Sequence, residues 1–561
     1  MSSRTCVKIL SIASFLILSV LPLAYMYGGH FNLDRYAWIF KDVRQQSIFE
    51  RTMYLGLGTV LLCIVLGVSV AVLLEYADIP FRSYLKVLII ISLLIPPYIS
   101  GISFLTFIGK NWVSAEFREP NPEVASMVRR DRSAVLNASS LQNSLMNRTV
   151  ASVPVTPKRP WYIPFDIDPY NIEWAILILS SCLFPIVFLL TSFALRNIDS
   201  RMVDAALLLQ PPLKVIWKVN LPMILPQILV SGLVVFIFAV SELGIPSIMR
   251  VNTLTMEVFN HFTGFFDTGQ ALALSFPLVA SIALLILAAQ LLTGKKPFIS
   301  VPLHTKDRVI LKLSRAQKAL GLAYILLIIF VSSVIPLIVL IINSNYAFVE
   351  ALEKAGDSML NSLFLSFLCS SVMLVPAFFI SYFYKGDKGM DYLILSPLIA
   401  PSAALGIGMI GIWNNDYTSI IYGSFLVLAF GYLARFLPFT IKALTPFMEQ
   451  IPASVEESGR LAGASFAKVA ADILVPLAKP GLLIAWLIGF ILCMRELDLS
   501  VMLTPPGFQT LPNRIFTLYH YGDIKTTSAL SLFLVAIVVI PYLAIIIVNN
   551  TSKWHISNSR K

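Results

Sequence analysis

Runs of about twenty mostly apolar residues recur along this chain, and one such run is what an α-helix needs to cross the hydrocarbon layer of a membrane. Twelve can be read, near residues 8–27, 53–76, 85–109, 173–195, 225–243, 270–292, 319–342, 359–383, 391–412, 420–441, 481–503 and 527–548. Composition agrees: the chain is 57% hydrophobic and only 13% charged, with mean hydropathy +0.80, which is far more apolar surface than one soluble core hides. The pattern predicts an all-α polytopic membrane protein of about twelve transmembrane helices.

A net charge of +11 could suggest nucleic acid or an anionic membrane surface, and its distribution decides between them. With the N-terminus cytoplasmic, 24 Lys and Arg fall in cytoplasmic segments. Outside segments hold 8, apart from 8 more in one long loop, and long loops cross largely regardless of charge. The positive-inside rule therefore predicts cytoplasmic N- and C-termini and membrane lipid, with no nucleic acid, as the neighbour. Residues 1–27 have the outline of a signal peptide, but no small-x-small cleavage site follows at Leu21–Gly28, so an uncleaved first helix is expected. Cys6, Cys63, Cys182, Cys369 and Cys493 lack paired spacing and read as small hydrophobes.

Apart from its first helix, the chain divides at a basic connector, giving a first half over 1–294, a connector over 295–318 and a second half over 319–561. The third span of each half carries prolines, Leu93–Phe104 and Pro397–Met409, which predicts kinked or loosened helices. Polar islands follow, Asp204–Pro226 and Glu456–Pro480, each with an acid, small residues, a basic amphipathic run and two prolines four positions apart. After the fifth span SELGIPSIM (241–249) parallels RELDLSVML (495–503), and FFDTGQALALS (265–275) parallels YGDIKTTSALS (521–531). The ordered recurrence predicts two homologous six-helix halves about a pseudo-two-fold axis, with a pathway between them.

In the second island Leu461, Phe466, Val469, Ile473 and Leu474 recur at helical spacing, and Gly463 with Ala464 breaks the run into two short helices. Such a segment is too polar for lipid and too apolar to float free, so it is expected to lie across the membrane surface and dock in a groove of another protein. Glu242, Arg495, Glu496 and Asp498 stand near the outer ends of spans five and eleven, with Asp267 and Asp523 at the starts of spans six and twelve. Charges in such places are costly and are pathway candidates by default; ion pairing and helix capping are the plainer reading. Arg435 within a span, and His261 and His520 in aromatic outer loops, are assigned no transport or metal role. Outer residues 111–171 are rich in Pro, Asn, Arg and Ser and predict no defined element.

Glu457-Ser458-Gly459, then Gly463, then Pro476, resembles the E-A-A-x-x-x-G…L-P coupling loop of ATP-binding-cassette import permeases. Asp204-Ala205-Ala206 and Leu221-Pro222 are similar to its start and end, but Leu209 or Gln210 replaces the glycine. Together with RFLPF, RELDLSVMLTPPGFQTL and LYHYGD, these segments resemble the fused two-half permeases of the iron(III)/thiamine branch. The resemblance implies a type I importer permease fold in a bacterial inner membrane. It implies a solute-binding protein outside, and two ATPase subunits inside that grip the loops. This chain has no G-x-x-x-x-G-K-[ST] phosphate loop, so ATP and Mg are expected on the partner, with no cofactor, metal site or catalytic residue here. Ferric iron is the expected solute, with thiamine, phosphonate and polyamine as rivals. A secondary carrier leaves the paired loops unexplained, and a membrane enzyme lacks any HExxH, Cys/His or Ser/His/Asp grouping.

Overall fold

The computed structural model describes residues 3–28, 39, 41–108, 168–293, 311–384 and 387–558. Of the outer loop 111–171 only its last four residues are therefore described, and of the connector only the part from Leu311 onward. Among the described residues the structure is helical, with no strand beyond an isolated bridge of Ala77 to Leu311.

Among the described residues, ten helices are long and apolar enough to cross a membrane: Thr5–Met26, Val43–Tyr76, Ile172–Arg196, Pro212–Ser241, Thr268–Ala289, Arg315–Ser344, Phe348–Phe383, Phe425–Glu449, Phe466–Met494 and Ile524–Ala544. The remaining two of the expected twelve, the third span in each half, are bent pairs: Arg82–Leu94 meets Pro97–Ile108 at 91°, and Gly389–Ile399 meets Ser402–Trp413 at 92°. The prolines explain the break. Proline removes an amide donor and pushes the residue before it out of the helical region. Ala400, just ahead of Pro401, is accordingly extended at φ −83°, ψ 129°.

Elsewhere proline is absorbed without a break. Four wide π-type turns, Leu16–Val20, Ile216–Asn220, Phe330–Val334 and Ala470–Leu474, each end two residues before a proline: Pro22, Pro222, Pro336 and Pro476. Widening the helix there makes room for the ring and accommodates the missing i→i−4 bond. This alters the expected shape of the coupling loops. Pro212–Val215 and Phe466–Val469 run through these turns into spans five and eleven, so only Ser200–Leu209 and Ala453–Leu461 stand apart as separate helices.

The first span of each half lies on the other half. Thr5–Met26 packs on Phe348–Phe383, Ser402–Trp413 and Phe425–Glu449. Glycine makes one of these contacts possible, because a Cβ at Gly408 would meet the Pro22 carbonyl at 2.8 Å. Arg315–Ser344 in turn packs on the bent third span of the first half, with Ser69 Oγ 2.8 Å from Tyr324 Oη. The mutual embrace sets one face of each first span against its neighbour half and leaves the rest of its apolar surface outward.

Polar contacts sort onto two opposite faces. On one, Glu75 pairs with Lys86 and Arg196 at 2.8 Å each, Asp78 pairs with Lys318 and accepts the Leu313 amide, Tyr382 donates to Glu456, and Lys8 lies 4.8 Å over the Tyr384 ring. On the other, Arg44 pairs with Glu257 at 2.7 Å and Lys354 with Asp523 at 2.8 Å. Both coupling loops are on the first of these faces.

Candidate coupling loops and translocation centre

The two loops share one plan. A short helix ends, the chain turns, and a second helix enters the span through a π-type turn; Ile216–Asn220 and Ala470–Leu474 are 254 positions apart, as are Pro222 and Pro476. The turn itself is made by different chemistry. In the second loop Gly463 adopts φ +79°, and the Ala464 amide donates back to the Gly459 carbonyl at 3.1 Å, a left-handed helix stop. In the first loop Gln210 is extended at φ −142°, ψ 148°, and Pro211 at φ −63°, ψ 150° caps the next helix. The glycine missing from the first loop is therefore replaced by Gln-Pro-Pro, and the turn survives.

Each residue of the loop motif can now be placed. Asp204, Ala205, Glu457, Ser458, Gly463, Pro222 and Pro476 are exposed, while Ala206 and Gly459 are half-buried at the contact between the two short helices. A Cβ at Gly459 would meet Val469 at 3.0 Å, which explains why small residues follow the acid. Neighbouring Glu456, not singled out by the motif, accepts a hydrogen bond from Tyr382 of span eight. Glu457 is left facing outward.

The second cluster sits where spans five and eleven end. Sequence pattern drew span eleven to residue 503, but the helix stops at Met494, three residues cross an unwound stretch, and a new helix starts at Asp498. Charged groups expected at the outer ends thus lie inside the molecule, Asp498 at 8% exposure and Glu242, Arg495 and Glu496 half-buried. Irregular backbone at membrane depth is tolerated only where protein or water satisfies it. Here the charges do so. Arg495 donates to the Leu93 carbonyl in the last turn of one broken third span; Asp498 accepts the Ser402 hydroxyl at 3.3 Å in the first turn of the other. Cation at a helix C-terminus and anion at an N-terminus is the arrangement the helix dipole favours. Asp498 also accepts the Leu243 amide of the opposite half at 3.3 Å, and Glu496 accepts the Leu499 amide at 3.1 Å.

Sequence reasoning passed over three members of this centre. Arg435 is 7% exposed with its Nε 3.9 Å from Glu496; Ser402 holds Asp498; Tyr98 is buried at the first half's break, its hydroxyl without a hydrogen-bond partner. The signal for Arg435 was present, since a buried arginine in a span demands a partner, but the partner is 61 positions away. Asp267 and Asp523 take the plainer role, each accepting an amide at the start of the following span, Gln270 at 3.0 Å and Thr526 at 3.1 Å. His261 lies 3.9 Å from Glu257, and among the described residues no three His, Cys, Asp or Glu converge to hold a metal.

Residues 52–295 match the family described as binding-protein-dependent transport system inner membrane component. The match lies in the first half and covers somewhat under half of the chain. The chain is 23% identical over 381 residues to an Fe(3+)-transport system permease protein of Haemophilus influenzae, covering 65% of this chain and 74% of that protein. A Salmonella paratyphi A protein named for 2-aminoethylphosphonate transport is 29% identical over 196 residues, 34% of this chain and 74% of its own length. A putrescine transport system permease protein of Escherichia coli is 21% identical over 182 residues, 32% and 65% of the two chains. The matched stretch is thus similar to an inner membrane component of binding-protein-dependent transport, and the apolar helices suit a multi-pass chain.

Proposed function

We propose that the permease carries ferric iron, delivered by an extracytoplasmic binding protein, between its two halves by alternating access. The observation that carries the reading is the similarity to the Haemophilus Fe(3+)-transport permease, which extends over 65% of the chain and so reaches into both halves. The carboxylates at the centre, Glu242, Glu496 and Asp498, supply the oxygen donors that a hard cation prefers. Two cytoplasmic ATPase subunits hold the two loops, with ATP and Mg bound on those subunits. The face carrying both loops and Lys8 is cytoplasmic in this reading, and so are both termini. Closure of the ATPase dimer moves the loops together, and because each runs without a break into span five or eleven, the motion reaches the centre directly.

The reading is tested with the permease purified together with its ATPase and binding protein in proteoliposomes. Uptake of radioactive iron should require ATP, and Glu457→Ala with Gly463→Pro should leave ATP hydrolysis running while uptake falls at least tenfold. Normal coupling in that double variant sinks the loop assignment. A neighbouring binding protein that takes 2-aminoethylphosphonate or putrescine in place of iron replaces the solute and leaves the mechanism.

A further inference from the structure

At the junction of span four, the first coupling loop and span five lies a cavity of about 240 Å³, bordered by Phe193, Asn197, Asp199, Met202, Met223 and Gln227. The second half shows why it exists. At the 254-residue offset, Phe193 and Gln227 correspond to Phe447 and Gly481. There the Phe447 ring rests on the glycine so closely that an added Cβ would meet it at 2.5 Å. Gln227 brings a long side chain to the same point, so Phe193 has no smooth surface to close on, and space remains.

That space is not apolar throughout. Gln227 Oε1 is buried without a hydrogen-bond partner, and Asp199 brings an exposed carboxylate to the border. Both are acceptors, and a buried acceptor left unmet is destabilising. The cavity therefore asks for a donor, and a cationic donor suits the carboxylate best. Position selects its source: Met223 and Leu225, exposed by 38% and 50%, present the neighbouring surface of span five, and Arg201 follows Asp199 in the first turn of the loop helix. At about 30 Å³ per water, 240 Å³ holds roughly eight waters, the scale of a headgroup and far below a pair of acyl chains.

We propose that this cavity receives the headgroup of an aminophospholipid of the phosphatidylethanolamine class. Its ammonium donates to Gln227 Oε1 and Asp199, and its phosphate lies toward the basic start of the loop helix. Asp199 is also the N-cap of that helix, accepting the Arg201 amide at 2.9 Å. An occupied cavity would therefore steady the first loop where it leaves span four. The proposal rests on the membrane placement of the importer reading.

The test uses the permease with its ATPase subunits in nanodiscs containing phosphatidylethanolamine, phosphatidylcholine and phosphatidylglycerol in equal parts, with retained lipids counted by native mass spectrometry during stepwise delipidation. The expected result is retention of phosphatidylethanolamine about tenfold above the other two, the scale of one charge-assisted hydrogen bond. Gln227→Gly, which lets Phe193 close as Phe447 does, should remove the preference; Asp199→Asn, which keeps a capping side chain, should reduce it. Equal retention of all three lipids, an unchanged preference in both variants, or a preference for phosphatidylglycerol overturns the proposal. Loss of iron uptake or of the ATPase partner would count against the importer reading alone, because the lipid count is read from the permease itself.

Discussion

Aligned on Pro222 and Pro476, the first coupling loop has Leu208, Leu209, Leu213 and Trp217 where the second has Ala462, Gly463, Ala467 and Ala471. The four large side chains are 87%, 84%, 63% and 70% exposed. Beneath this difference the buried positions correspond, Val215 with Val469 and Ile216 with Ala470, and the π-type turns fall at matching places. Backbone plan and outward surface have thus been set separately. The inward face must fit its own bundle, whereas the outward face answers only to whatever docks there. The first loop offers four bulky side chains; the second exposes Leu461 among small residues, with Glu457 and Asp472 beside it.

The same contrast governs the centre. Glu242 and Glu496 correspond, but Arg435, Arg495 and Asp498 stand opposite Ser181, Ser241 and Gly244. All the additional charge comes from the second half. Room is exchanged along with charge: Tyr98 fills the place beside Gly244, where a Cβ would meet it at 2.7 Å, while small Ser402 faces Asp498. Pseudo-symmetry holds for helices and breaks, and the chemistry at the axis is one-sided.

Four experiments would break or sharpen these comparisons. The largest effect is expected from Leu208→Ala with Leu209→Ala. Each leucine buried in a partner contributes about 1.5–3 kcal/mol, so ATPase co-purification should weaken more than tenfold, while Ala462→Ser in the second loop should leave it unchanged. Equal losses from both loops, measured by titrating the ATPase onto the permease in detergent, would erase the proposed division between them.

Next comes Asp498→Ala, which strands the Leu243 amide and the Ser402 hydroxyl. At about 1–3 kcal/mol per orphaned group, the melting temperature should fall clearly, and Asp498→Asn, which keeps an acceptor, should recover part of it. An unaltered melting curve would show that Asp498 does not join the halves.

A smaller change should follow Gly463→Ala. Nothing lies within 4 Å of the added methyl, so its cost is the left-handed backbone alone, about 1–2 kcal/mol. Leu209→Ala at the equivalent position of the first loop should show no backbone penalty, because that residue is helical. Hydrogen exchange of the two loop helices separates the cases.

The smallest effect concerns the tie between connector and first half. A side-chain hydrogen bond from Lys318, with help from the Leu313 amide, holds the Asp78 carboxyl below its usual range. A depressed carboxylate pKa means the tie is present at neutral pH and is lost as pH falls through that lowered value, below about 4. Exchange protection at Leu313 should therefore drop only in acid, and Asp78→Asn should lack that acid transition. Protection that is flat with pH in the native chain would remove the tie.

How much was legible beforehand follows from how far apart the relevant residues lie. The prolines at 96, 97 and 401 announced their breaks, because proline acts on its own backbone and the residue before it. Glu457, Gly459 and Gly463 announced a turning loop for the same local reason. Ser402 was not legible, and Arg435 only as a charge in need of a partner, since each matters through a residue many positions away. Span eleven was drawn too long because Leu497, Leu499, Val501 and Leu503 remain apolar after the helix has unwound. Hydropathy reads burial, and burial did not end where the helix did.

The sequence alone determined the apolar runs, the recurring proline and acid spacings and the two polar loops, because these depend on composition and on spacing within single segments. Tertiary structure alone decided that each half's first span lies on its neighbour, that Gln210-Pro211-Pro212 replaces a glycine turn, and that one half's Arg495 and Asp498 satisfy the broken helices at the centre. Those outcomes depend on which backbone groups are left unpaired and which charge is near enough to meet them.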